Sequence, residues 1–515
     1  MHYEKRVSFL EYNVIRKNWR RSKLKIALCY PNVYKAGMTG LTVQQLYYLF
    51  NLDEEVLCER CFFSEHPKTI ESNAELKAFD ILAFTLQYEE DYINMIRMLA
   101  NANINPLAEK RSESDPLIIV GGQAVSANPL PLSKIADCIF VGELEPELFN
   151  LLEILKERRS KKSRLNELYG LDCIYYPGKD KVKRSIARNL DEIPHILAQL
   201  TPSSEEALID PIFANAFYLE TSRSCNRRCR FCLLSWTNGP FRYRSFSKAK
   251  ELLDAGLQRS RGERVVLLGA GISDVPWLKD ICKEVIARGL KLSIPSLRPD
   301  VVDAELLELI KEGGQKSLAL GVESLSSKNR AFLGKQYDDT IIEDVIRMAV
   351  DMGLTEIKLY LITCLPKEDI NGASPLLQRI IKILSKSNTA LHISINPLIP
   401  KPNTPFQWLP PPKPSVIKDY YKQYAKLFRH PRIKVDFLNP YRATSQALLS
   451  LGDEAFGPCL IDLAKRPSIT WSIMVKSLSK IFREVGIENP WDVVDIGYDK
   501  EILRKSFEYA MQIIK

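Results

Sequence analysis

The chain has 515 residues, 45% hydrophobic and 26% charged, long enough for two or three cores and with the composition of an ordinary soluble protein. No apolar run reaches the roughly 18 to 20 residues that a membrane helix needs, and the polar start Met1-His-Tyr-Glu-Lys-Arg6 is not a secretory signal. Eleven cysteines, an odd number without a paired framework, point to a reducing, cytoplasmic location where thiols stay free. The net charge of +9 is concentrated in Arg16–Lys23, Lys156–Arg164 and Lys179–Arg184. Such clusters can meet RNA phosphates or an acidic protein, but no aromatic residues interleave them as in a nucleic-acid groove, which favours a solvated surface.

The N-terminal third alternates strands and helices. Lys25-Ile-Ala-Leu-Cys-Tyr30 reads as a buried strand, and a helix through Leu41–Phe50 carries apolar residues at helical spacing. Further strands are expected at Val56–Phe63, Asp80–Thr85, Leu117–Val120 and Cys138–Val141. Alternation of this length specifies a parallel, doubly wound sheet over residues 1–155. Ligands bind such sheets beyond the carboxyl ends of the strands. That makes Asn32, Tyr34 and Gly37, Thr85 in the turn running to Tyr92, Gly121-Gly122 and Gly142-Glu143 candidate ligand positions. The paired glycines allow close approach of a ligand and equally a plain tight turn. Cys58-Glu-Arg-Cys61 has metal-like spacing, yet positions i and i+3 of a strand face opposite sides, so a structural role is expected. Residues 156–215 combine a charge run, a small hairpin around Tyr175-Tyr-Pro-Gly178 and the segment Thr201-Pro-Ser-Ser-Glu-Glu206, which together read as a linker.

The next strand, Ala216–Glu220, runs into Cys225-Asn-Arg-Arg-Cys229-Arg-Phe-Cys232. Three thiols at this spacing can hold three corners of a [4Fe-4S] cube and leave the fourth iron open to a substrate. A set of buried or zinc-binding cysteines is the alternative, although zinc knuckles carry a matching second pair or histidines and no His lies between His195 and His392. The C-x3-C-x2-C spacing, with an aromatic before the last cysteine, resembles the radical SAM enzymes. That resemblance implies a [4Fe-4S] cluster on Cys225, Cys229 and Cys232, S-adenosylmethionine on the free iron, and reductive cleavage to a 5'-deoxyadenosyl radical. An electron donor such as ferredoxin or flavodoxin is implied as well.

The N-terminal third, in turn, looks like the cobalamin-binding domain that precedes the core in one class of these enzymes, and Pro31-Asn-Val-Tyr-Lys-Ala-Gly-Met38 matches a segment of its closest branch. Many cobalamin proteins carry Asp-x-His-x-x-Gly where this chain has Asn32-Val-Tyr34-Lys-Ala-Gly37, so histidine ligation of cobalt at this loop is excluded. Either cobalamin is held without His on its lower face or the domain has lost it.

From Ala216 strands are expected near 216–221, 264–269, 290–295, 317–322, 356–362 and 391–396, with amphipathic helices between them. They resemble the partial (β/α)6 barrel of the radical SAM core over residues 216–412, in which chemistry gathers at the carboxyl ends of strands. By resemblance, the S-adenosylmethionine site comprises Phe231, Gly269 of Gly269-Ala-Gly-Ile-Ser-Asp274, Ser273 or Asp274 for the missing loop acid, Ser296, Arg298 as a bidentate carboxylate clamp, and Glu323 for the ribose hydroxyls. Leu365-Pro366 and Asn396–Phe406 match further elements, the second expected as a rigid loop closing the barrel mouth. Ser224 and Cys364 stand where the family usually has glycine. Residues 413–515 are expected to be a mainly helical domain, in which Leu448–Glu454 lacks the basic residues of the branch's related motif.

The reading is a cobalamin-dependent radical SAM methyltransferase acting on an unactivated centre of a small-molecule, peptide or RNA substrate. Radical cyclisation or rearrangement is the alternative. A tRNA methylthiotransferase is disfavoured by the lack of a second three-cysteine pattern and of a basic C-terminal barrel. A cobalamin or iron-sulfur sensor without turnover belongs to a different class.

Overall fold

The computed structural model describes residues 11–157, 159–202, 215–483 and 489–515. Of the expected linker segment Thr201–Glu206, only Thr201 and Pro202 lie among them.

The first sheet has six strands in the order Val56–Phe62, Leu24–Tyr30, Ile81–Thr85, Leu117–Gly121, Cys138–Phe140 and Ile174–Tyr175. Its first five strands pair in parallel and the last is antiparallel. Both faces are buried, which is why these strands read as nearly continuous apolar runs. The order of winding reverses between Leu24–Tyr30 and Ile81–Thr85. In doubly wound sheets that reversal opens a crevice at the carboxyl ends. Cys58 and Cys61 are fully buried in the second strand. Cys61 pairs in register with Cys29, while Cys58 joins the opposite core with Leu28 and Tyr30, so the two thiols face opposite sides. Arg60, also fully buried, is neutralised by Glu11 and Glu71, consistent with the rule that a buried charge persists only when paired.

The barrel strands are Ala216–Arg223, Arg264–Gly269, Lys291–Leu297 with a break after Ser293, Ser317–Glu323, Glu356–Thr363 and Ala390–Pro397. Pro295, which lacks an N–H, lies in the break. Lys291–Ser293 pairs with the second strand and Ser296–Leu297 with the fourth, so the third barrel strand bridges two hydrogen-bonded sheets. A seventh parallel strand, Ile433–Phe437, adds to the sixth. The tail is mainly helical as expected, and this strand is its main exception: Ile-Lys-Val-Asp-Phe alternates with period two, the strand signature.

The division into compact units also differs from the expected four parts. One unit comprises 1–217, 252–262 and 448–497, and the other 218–251, 263–447 and 498–515. Described residues 156–157 and 159–202 therefore fall in the first unit, and the residues from 413 on divide between the two units. The hairpin expected around Tyr175–Gly178 is absent because its two arms pair elsewhere: Ile174–Tyr175 joins the first sheet and Val182–Lys183 pairs with Val494–Asp495. Much of the basic charge is consumed internally. Lys17 donates to the carbonyls of Asn51, Asp53 and Val56 at 2.7, 2.6 and 2.8 Å, Lys156 meets Asp53 at 2.8 Å, and Lys179 caps the carbonyls of Leu171 and Ile174. Lys17 and Lys179 thereby satisfy backbone acceptors, and Lys156 a carboxylate.

Candidate functional site

The three-cysteine loop leaves the carboxyl end of the first barrel strand and re-enters a short helix, Leu233–Thr237. Cys229 is buried, and Cys225 and Cys232 are half-buried. Burial pushes the Cys229 thiol up to about 11, with Lys335 and Arg298 drawing it down and Cys232 adding to the rise. Cys225 is likewise raised by burial and feels Cys232. Three soft thiols from one loop, with Lys335 and Arg298 close to Cys229, suit iron-sulfur ligation, and loading them releases their protons. Among the described residues no three His, Cys, Asp or Glu side chains stand close enough to chelate a single metal ion.

The loop is held from several sides. Ser224 adopts φ +64°, which explains the glycine usual at that position: only a residue tolerant of the left-handed region makes the turn into the first cysteine. Trp236 Nε1 donates to the Cys229 carbonyl at 3.0 Å. Arg230 donates to the carbonyls of Ala331 and Phe332 at 2.7 and 2.8 Å and to Ser506 Oγ at 3.2 Å, and its guanidinium lies over Tyr509. Arg228, at φ +47°, stacks on Tyr498 with 4.9 Å to the ring centroid. Tyr498 and the helix that follows it, Lys500–Ile513, thus clamp the residues on either side of Cys229. Phe231 packs beside Phe332, Leu365, Leu398 and Phe406, so the cluster motif, Leu365-Pro366 and the 396–406 loop converge in one apolar knot, with Phe332 and Phe406 stacked 4.8 Å apart.

The remaining S-adenosylmethionine candidates lie around this loop. Gly269 leaves no room for a side chain, since a Cβ would stand 2.2 Å from Ser222 Oγ, and a Cβ on Gly271 would lie 3.0 Å from the Ser224 carbonyl. Close packing of the second-strand loop on the cluster loop accounts for both glycines. Asp274 accepts from Arg227 Nε at 2.9 Å, so its carboxylate is engaged by an arginine of the cysteine motif itself. Arg298 donates from Nε and one terminal nitrogen to Asp300, each at 2.9 Å. Asp300 also meets Arg227 at 3.3 Å. The fork expected to clamp a carboxylate is therefore turned onto Asp300, and its guanidinium lies over the Tyr337 ring, 5.6 Å from the centroid. Ser273 Oγ accepts from the Arg298 N–H at 3.3 Å, and Ser296 is exposed. Glu323 sits at φ +65° on a bulge, 3.1 Å from Lys335. Asp300, Arg227, Lys335, Tyr498, Ser506 and Tyr509 escaped sequence reasoning. Arg227 alone carried a signal, its place inside the cysteine motif.

In the first unit the strand-end positions separate. Asn32 Nδ2 donates to Asp91 at 2.9 Å across the point where the winding reverses. Tyr34 does not face the crevice: it is buried, donates to Glu11 at 2.6 Å and packs edge-on to Phe62, and burial pushes its phenol far up. Gly37 is a packing glycine, a Cβ there standing 2.6 Å from Phe62. Gly122 at φ +111° lies against Leu86, whose carbonyl would be 2.4 Å from a Cβ, and Gly142 at φ +110° lies against Ser185 in the same way. The close approach these two glycines permit is to backbone. Gly121 is more open, with Phe140 at 3.8 Å. Thr85 is buried and accepts from Gln87 at 2.9 Å. Glu143 accepts from the Ala187 N–H at 2.9 Å, a structural contact. The exposed apolar side chains at these strand ends are Val33 and Tyr88, 42% and 59% exposed.

A doubly wound domain followed by a barrel with three thiols at the end of its first strand defines a class of iron-sulfur enzyme. Residues 219–396 match the radical SAM superfamily, and residues 42–177 match the N-terminal domain of radical SAM proteins. An uncharacterized protein of Methanocaldococcus jannaschii is 28% identical over 88% of this chain and 94% of its own length. An uncharacterized methyltransferase of Pyrococcus horikoshii is 24% identical over 49% of this chain and 55% of its own. Among solved structures, the radical S-adenosylmethionine methyltransferase TsrM from Kitasatospora setae, with cobalamin and a [4Fe-4S] cluster bound, shares the fold at 13% identity, covering 95% of this chain and 100% of that one with a TM-score of 0.52. The chain belongs to the radical SAM enzymes, with the radical SAM N-terminal domain ahead of the core. The family implies a [4Fe-4S] cluster and S-adenosylmethionine. No helix among the described residues is long and apolar enough to cross a membrane.

Proposed function

We propose that the protein is a cobalamin-dependent methyltransferase acting on an unactivated centre. The observation that carries this is the pairing of a thiol-bearing barrel with a doubly wound sheet whose winding reverses at Tyr30–Asn32 and Thr85–Tyr88, the architecture shared with the methyltransferase TsrM. When bound, the cluster and S-adenosylmethionine supply one-electron chemistry, and cobalamin supplies a methyl carrier. Cys225, Cys229 and Cys232 hold three irons. Arg298, oriented by Asp300, offers its guanidinium to the methionyl carboxylate. In the N-terminal domain Tyr34 is turned into the core, so the Asn32–Gly37 loop would hold a corrin without an imidazole or phenol from position 34. Val33, Tyr88 and Gly121 offer the apolar and open surface on which a corrin can rest.

The test is titration of the purified protein with hydroxocobalamin, followed by absorbance, beside an assay for 5'-deoxyadenosine. Tight binding with a base-off, His-off spectrum is expected, and Tyr88→Ala should weaken it about tenfold or more, as loss of a large aromatic contact does. A protein that binds no corrinoid yet forms 5'-deoxyadenosine from S-adenosylmethionine would overturn methyl transfer in favour of radical rearrangement.

A further inference from the structure

The fourth, fifth and sixth barrel strands alternate strictly between buried and partly exposed residues. Leu318, Leu320, Ile357, Leu359, Leu391 and Ile393 are buried, as expected of the face that helices cover. The partly exposed set therefore lines the inner wall. Contacts among them agree, since His392 on the sixth strand meets Asp436 on the seventh at 2.5 Å and Glu356 on the fifth at 3.4 Å.

Closed (β/α) barrels fill this wall with branched apolar side chains. Here the fourth strand contributes only Ser317, Ala319 and Gly321 before Glu323. Ala319 stands in register with Lys358, and Gly321 with Tyr360, which has Ser394 on its other side. Ala319 puts only a methyl group beside Lys358, whereas the space beside Gly321 is taken by Glu323 and Lys335, each 3.2 Å from where a Cβ would stand. The charges on the wall are almost all matched: Glu356 and Asp436 turn to His392, Asp436 also lies 3.7 Å from Lys434, and Glu323 meets Lys335. Lys358 is the exception, making no hydrogen bond or ion pair among the described residues, and neither Tyr360 nor Ser394 has a partner there. Lys358 lies five residues before the end of its strand at Thr363, about 16 Å down the wall from that strand's carboxyl end.

We infer that Lys358, with the Tyr360 and Ser394 hydroxyls, binds the anionic group of a small-molecule substrate, a carboxylate or a phosphate monoester, inside the barrel. This rests on the enzyme reading above and narrows its substrate class. A partly buried ammonium without a counter-charge gains most from an anion that also accepts hydrogen bonds, because charge-assisted bonds are stronger than neutral ones. Acids of either kind present two or three acceptor oxygens, matching one ammonium and two hydroxyls.

The test titrates inorganic phosphate, acetate and neutral acetamide into cluster-loaded protein saturated with S-adenosylmethionine, followed by calorimetry. Wild type should bind one or both anions and not acetamide, the preferred anion separating phosphate ester from carboxylate. Lys358→Met should weaken that binding about tenfold and Lys358→Arg far less, as loss and retention of one charge-assisted contact predict. Tyr360→Phe should weaken it about threefold. Anion binding that is absent from wild type, or unchanged in Lys358→Met, would overturn the inference. The titration needs no turnover, so failure to form 5'-deoxyadenosine would count against the reaction reading alone.

Discussion

Glu368, in the loop that follows the fifth barrel strand, offers a test of the energetics at the barrel mouth. Its Oε2 accepts from Thr363 Oγ1 and the Leu365 N–H, both at 3.1 Å, and its Oε1 from the Tyr424 hydroxyl at 2.5 Å. Burial nevertheless outweighs these donors and pushes the carboxyl from 4.5 up to about 7. The sign follows from linkage. Between pH 4.5 and 7 the folded state holds a proton that the unfolded state releases, so stability is fully present below 4.5 and falls as pH rises through 7. A rise of that size corresponds to at most about 3 kcal/mol, or roughly 6 to 12 °C in melting temperature for a unit of this size. Glu368→Gln keeps the shape without the titration. Thermal unfolding followed by circular dichroism from pH 5 to 8 should show wild type losing stability relative to Glu368→Gln as pH rises, most steeply between about pH 5 and 6.5 and levelling off above 7. Parallel curves, or a wild type that gains on the variant with rising pH, would show that the Thr363, Leu365 and Tyr424 donors hold the carboxylate ionised and would refute the reasoning.

Two further outcomes are expected. Replacing Cys225, Cys229 or Cys232 by Ala should abolish the reconstituted cluster absorbance and cleavage of S-adenosylmethionine, whereas Cys58→Ala and Cys61→Ala should retain both, because those thiols are buried on opposite faces of a strand; equal loss in both groups would contradict the assignment. Cys364 sits at φ +63°, so Cys364→Gly should relieve about 1 kcal/mol of left-handed strain and raise the melting temperature by about 2 to 4 °C. Cys364→Val, branched at the β-carbon, should lower it, and a fall in both would argue that the thiol's packing outweighs its backbone.

What the sequence made legible followed local rules. The five parallel strands of the first sheet were readable because each is buried on both faces, and the cysteine motif because its spacing is itself the chemistry. Ser224 and Cys364 looked like departures from a glycine pattern, and the structure shows why glycine is usual: both have positive φ. Other features depended on distant partners. Nothing near Gly122 announces that Leu86 backbone fills the space beside it, and nothing near Tyr34 announces Glu11 as its partner. Tyr498 and Ser506 touch the arginines flanking Cys229 only through tertiary folding. The strand Ile433–Phe437 was readable from its alternation but was absorbed into a tail judged by its helical surroundings.

The chain passes between its two compact units at residues 217, 251, 262, 447 and 497, and Tyr498–Lys515, made long after the cysteine motif, supplies the clamp on Arg228 and Arg230. During synthesis the cysteines therefore leave the ribosome long before the residues that brace them. Metal loading on a nascent chain would meet an unbraced loop, whereas loading after release meets a finished one. The same wiring means that no single cut yields an intact barrel unit: a fragment ending at 447 keeps every cysteine of the motif and lacks the brace.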